Sequence, residues 1–140
     1  MASAQYDIHT KQHSTLNFHA EYYDENGNAV DLTGYTARLH VRPSDDYSKL
    51  YLAITTFGVT SGGSTGEFGA TTGISGSGGI FLNRGETGSV FTGGILITAD
   101  ATTMGYVRAG TWRYSLDLTK GVTTDELMEG RFVVAPKTTR

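Results

Sequence analysis

The sequence predicts an all-β chain, an antiparallel sandwich or small barrel, on three observations. Apolar residues recur at every second position in several segments, the period of a strand with one face turned inward. Eight Tyr, six Phe and one Trp favour pleated, half-buried surfaces. Nineteen Gly mark many turns, and nothing reads as helix beyond one turn around Ala101–Met104.

The first clear strand alternates Leu16, Phe18, Ala20 and Tyr22 with Asn17, His19, Glu21 and Tyr23. Asp24-Glu25-Asn26-Gly27-Asn28 ends it, because Asn and Gly accept positive φ at little cost. Asp31-Leu32-Thr33-Gly34 forms a second turn or corner. Tyr35, Ala37, Leu39 and Val41 then share one face, opposite Thr36, Arg38, His40 and Arg42, until Pro43 and Ser44-Asp45-Asp46 close the strand. Leu50, Leu52 and Ile54 mark the next strand. Downstream, Trp112, Tyr114, Leu116 and Leu118 alternate with Arg113, Ser115 and Asp117. A turn near Lys120-Gly121 leads to a last long strand over Glu126 to Val134. Several strands joined by short turns fit one sandwich domain spanning residues 1–140.

Residues 57–94 interrupt this pattern and hold 13 of the 19 Gly. Within them Gly78-Gly79-Ile80-Phe81-Leu82 is echoed by Gly93-Gly94-Ile95-Leu96-Ile97, around a hairpin tip at Asn83-Arg84-Gly85-Glu86-Thr87-Gly88. The region reads as a Gly/Ser-rich insertion between core strands, with a flexible first part and then a short hairpin. A structureless loop this long is unusual in a compact domain, so the first part is either mobile or ordered by a neighbour.

Composition bounds the function. A chain of 140 residues suits one domain that hides roughly two-thirds of its unfolded surface. With 38% hydrophobic and 18% charged residues it is too apolar for a disordered chain. A net charge of −3 gives no reason to expect a nucleic-acid or anionic-membrane partner. The absence of Cys removes disulfides and thiolate chemistry. Met1-Ala2-Ser3-Ala4-Gln5 lacks the basic and apolar segments of a secretory signal, and no apolar run approaches the ~20 residues that span a bilayer. The expectation is a soluble protein made in the cytoplasm.

Catalytic patterns are weak. Gly62-Gly63-Ser64-Thr65-Gly66 matches the Gly-x-Ser-x-Gly elbow of serine hydrolases. Its flanks are Gly/Ser-rich, however, and all four His lie at or before position 40, so no later His serves as base. His9 and His13 have the spacing of a helical metal pair. In extended chain, His9, His13 and His19 share a polar face and spread over about 30 Å, so they do not converge. Asp24-x-Asn26-x-Asn28 copies the start of a calcium loop, but Ala29 stands where Gly is needed and Tyr35 where a bidentate Glu is needed. Asp45-Asp46, Asp125-Glu126 and Glu129 read as turn and solvent-face carboxylates. No phosphate-cradling glycine motif occurs. No catalytic, metal-binding or cofactor residue is therefore assigned, and no enzyme is expected. Trp112 and Tyr114 suit either a sandwich core or a sugar-stacking platform, with the core favoured, and Tyr35 suits the core. Among Tyr22, Tyr23, Tyr47 and Tyr51, some fall on the polar parity and fit an interface patch.

Three blocks in one order carry a resemblance. They are Asn26 to Arg42, whose centre reads VDLTGYTAR; a Gly-rich hairpin leading to Ile97-Thr98-Ala99-Asp100-Ala101-Thr102-Thr103; and Ala109 to Leu118, closing with Glu129-Gly130-Arg131-Phe132-Val133-Val134. Together they resemble small structural proteins of tailed phages, including T4-like cyanophages. The pattern is also similar to the N-terminal immunoglobulin-like domain of upper baseplate proteins. The resemblance covers nearly the whole chain outside 57–79 and implies an Ig-like β-sandwich used as a virion building block in the tail or baseplate. It implies other virion proteins as partners, a homo-oligomer or ring, and no catalytic residues. Edges of such a sandwich accept a strand from another chain, and 4–12 and 135–140 are polar enough to stay unpaired alone and add to a neighbour. Two other roles fit the same sandwich: a capsid decoration or neck protein, and a carbohydrate-binding module for host attachment.

Overall fold

A computed structural model of the chain describes residues 4–43, 50–61 and 74–136. Along them run β1 (Ala4–Gln5), β2 (Ile8–Lys11), β3 (Leu16–Glu21), β4 (Thr36–Arg42), β5 (Leu52–Thr55), β6 (Gly58–Ser61), β7 (Ile74–Gly76), β8 (Gly78–Arg84), β9 (Val90–Ala99), α1 (Ala101–Gly105), β10 (Gly110–Lys120) and β11 (Thr123–Ala135). Period-two alternation becomes burial directly. In β4, Ala37, Leu39 and Val41 are buried and Arg38 is exposed; in β10, Tyr114, Leu116 and Leu118 are buried. The protein is an all-β sandwich.

One sheet has eight strands, in the order β1-β11-β10-β4-β5-β6-β7, with β2 also on β11. The other has three, in the order β3-β9-β8. The large sheet is antiparallel except at one edge, where β1 and β2 run end to end, parallel to β11. Leu39, Val41, Leu52, Ile54, Leu116, Phe132 and Val134 from the large sheet meet Leu16, Ile80, Ile95, Ile97 and Ala99 from the small one. A fully buried side chain such as Phe132 contributes about 1.5–3 kcal/mol. The core also takes Leu32 from the corner and Met104 and Val107 from the helical turn and the residues after it. That turn starts where Asp100 accepts the N–H of Thr103 at 2.9 Å.

Two expectations change. The hairpin of 78–97 is no insertion between core strands: β8 and β9 are two of the three strands of the second sheet, and Ile80, Ile95 and Ile97 lie in the core. Its glycines serve close packing. Gly93 has φ of 81° and Gly94 leaves room for the Arg84 carbonyl oxygen, from which an added Cβ would lie 2.1 Å — too close for any side chain. Residues 4–12, expected to stay unpaired alone, are instead laid along the chain's own β11. The Gly/Ser-rich run 62–73 lies outside the described residues.

Candidate functional site

The parallel edge is held by the Glu129-Gly130-Arg131 block. The N-terminal strand breaks at Tyr6-Asp7, and each break atom meets a specific group on β10 or β11. The Tyr114 hydroxyl donates to the Tyr6 carbonyl at 2.6 Å. Asp7 accepts the backbone N–H of Arg131 at 3.1 Å and its guanidinium at 3.0 and 3.2 Å. Gln5 donates to the Glu129 carboxylate at 2.5 Å. Gly130 must lack a side chain, since a Cβ there would lie 2.2 Å from the Tyr6 carbonyl oxygen. Hydrogen bonds from the Arg131 backbone and side chain hold the Asp7 carboxyl below the usual range, and burial pushes the Tyr114 phenol up.

A second joint explains the corner block. Asn83 sits at φ of 58° where the β8–β9 register jumps between Leu82 and Arg84. Its side-chain oxygen accepts the N–H groups of Leu32 (3.0 Å) and Gly93 (3.1 Å), and its amide donates to Asp31 at 3.0 Å. Asp31 also accepts the hydroxyl (2.7 Å) and N–H (3.0 Å) of Thr33, which hold its carboxyl below the usual range. Asp31, Thr33 and Asn83 thus lock the corner to the hairpin.

The outer face of the small sheet carries exposed aromatic side chains. His19, Leu96 and Phe81 stand side by side across β3, β9 and β8. Phe81 is 47% exposed and Phe91 42%, while Leu96 beneath them is only 7% exposed. Phe91 meets the His19 ring edge-on at 6.1 Å, and Val90 beside it is 80% exposed. The sequence pattern marked Phe81 and Leu96 as hairpin residues without assigning them a face. Strict alternation from Ile80 and Ile95 would have placed both outward.

The large sheet's outer face is polar. Its rows read Arg42–Arg113–Arg131, then His40–Ser115–Glu129, then Arg38–Asp117–Glu126. Arg38 pairs with Asp117 at 3.2 Å. Arg42 donates to Nδ1 of His40 at 3.3 Å, so that nitrogen is unprotonated. Burial, then the charges of Arg42 and Arg38, push the His40 pKa down against the opposing pull of Asp117.

The residues weighed for chemistry are scattered. His9 is exposed on β2, His13 lies in a turn at φ of 62°, and His19 sits on the other sheet. Among the described residues no three His, Asp or Glu side chains gather around a metal position. Asp24 caps its own turn, accepting the N–H groups of Asn26 and Asn28, both at 2.9 Å. Asp125 and Glu126 are exposed on β11. Trp112 is half-buried, its ring centroid 4.6 Å from that of Tyr51 and its N–H bonded to the Arg108 carbonyl at 2.7 Å; Tyr114 is buried. The pair therefore belongs to the packed interior. Of the four unassigned tyrosines, Tyr51 is buried, Tyr22 half-buried and Tyr23 exposed. Ser64, Asp45, Asp46 and Tyr47 lie outside the described residues. No family model matches the chain, and no curated protein matches it closely enough to suggest a relative.

Proposed function

We propose that the chain is a non-enzymatic structural module of a tailed-phage virion, a tail or baseplate component with an Ig-like sandwich that assembles with other virion proteins or with copies of itself in a ring. The supporting observation is the outer face of the small sheet, where Phe81 and Phe91 stand exposed on a three-stranded platform. Clustered exposed aromatics favour a surface that is covered by a partner. The resemblance of the VDLTGYTAR and EGR blocks to phage structural proteins supports the same reading. Both blocks act here as joints that fix one sheet against its neighbour strands, which suits a rigid building block.

Quantitative mass spectrometry of purified, salt-washed virions tests the proposal. Peptides of this chain are expected in the particle at a fixed multiple of a known tail protein. Peptides confined to the infected-cell lysate and missing from particles would overturn it.

A further inference from the structure

We propose that Arg113 is the anchor of a docking site for an acidic side chain carried by a protein partner. The proposal does not rest on the virion reading. In the cross-strand register Arg113 stands between Arg42 and Arg131. Side chains directly opposite on neighbouring strands sit about 4.5–5.5 Å apart at Cβ, and like charges so placed repel. A row of three arginines therefore calls for anions. Arg131 has one, the Asp7 carboxylate at 3.0 Å, and Arg42 is engaged with His40. Arg113, exposed in the middle, has no hydrogen-bond or ion-pair partner for its guanidinium among the described residues.

The surroundings specify the ligand. Beside Arg113 is a depression of about 130 Å³ lined by His40, Arg42, Pro43, Ser115 and Glu129, large enough for one carboxylate group. The Ser115 hydroxyl lies in the next row and offers a neutral donor. Glu129 does not take the role: its carboxylate is held by Gln5 and makes no ion pair with Arg113. Its negative charge also disfavours a doubly charged phosphate relative to a singly charged carboxylate. The neighbouring Arg131–Asp7 pair shows the geometry that this row accepts, a carboxylate from an extended segment meeting a planar guanidinium by two hydrogen bonds.

Amide and arginine side-chain NMR of the full chain, titrated with a capped Asp-Gly-Asp peptide, tests the site. The comparison ligands are capped Asn-Gly-Asn and inorganic phosphate. Saturable shifts centred on Arg113 and Ser115 are expected with the acidic peptide. They should weaken at least threefold in Arg113→Gln and persist in Lys11→Gln, which removes the same charge from an exposed site away from the row. Equal response to the neutral peptide, equal loss in both variants, or tighter binding of phosphate than of the acidic peptide would overturn the proposal.

Discussion

Gly130 and Asn83 show how single residues decide this architecture. A methyl group at position 130 would collide with backbone, the Tyr6 carbonyl, which has no side-chain freedom to yield. Gly130→Ala is expected to lower stability by about 1–3 kcal/mol, in the range of overpacking. It should also raise hydrogen exchange over 4–11 more than elsewhere, and unchanged protection of that segment would contradict the joint described here. Asn83 combines a left-handed backbone with three side-chain bonds at 3.0–3.1 Å. Asn83→Gly keeps the backbone and loses the bonds, whereas Asn83→Ala loses both. Chemical denaturation should rank wild type above Gly and Gly above Ala, with the Gly variant down by about 1–3 kcal/mol; a reversed order would mean that the side-chain bonds add nothing.

Titration at single residues gives stability a pH signature. Asp7, Asp31 and Asp100 all have carboxyls held below the usual range by hydrogen bonds. The unfolded chain takes up those protons first as pH falls below about 4. Their contribution is thus complete above that value and is lost as pH falls through the folded values. His40 acts in the same direction in a higher window. Its folded pKa is depressed, so the unfolded chain binds the proton at about pH 6.5 while the folded chain does not. Stability should decline from pH 7 downward and level off once folded His40 is protonated. Melting temperature against pH should lose that upper step in His40→Gln and keep the acid one; a step unchanged in the variant would assign it to another group.

At the scale of elements, what was readable from sequence was whatever repeats with period two. β3, β4, β5, β10 and β11 follow directly from Leu16 to Ala20, Ala37 to Val41, Leu52 to Ile54, and the two downstream runs. The single helical turn over Ala101–Gly105 was legible too. The edge strands β1 and β2 were not, because among the residues of described burial there only Ile8 is a buried apolar one, and the segment is fixed by contacts as far as 124 residues away. The hairpin was seen but its rank was not: glycines that read as looseness are sites of close backbone approach at Gly93 and Gly94. The platform face has the same origin, since Phe81 and Leu96 gain meaning only once Ile80 and Ile95 are known to point into the core. Phe81→Ser is expected to change monomer stability by less than about 1 kcal/mol, as a half-exposed position allows. In assembly assays the same variant should fail to enter particles. A fully destabilised monomer would instead make Phe81 a core residue.

For the whole molecule, an eight-stranded sheet and a three-stranded sheet enclose one core and leave two unlike outer faces. One is aromatic, at Phe81 and Phe91; the other is a charged lattice led by Arg42, Arg113 and Arg131. Two such faces on opposite sides suit a unit with different neighbours on each side, as in a layered particle. A density map of the intact virion, at a resolution that separates strands, tests this most directly. The proposed role predicts this sandwich in the tail or baseplate, with another chain packed over Phe81 and Phe91. Its absence from the particle, or its presence with that aromatic face open to solvent, would contradict the proposal.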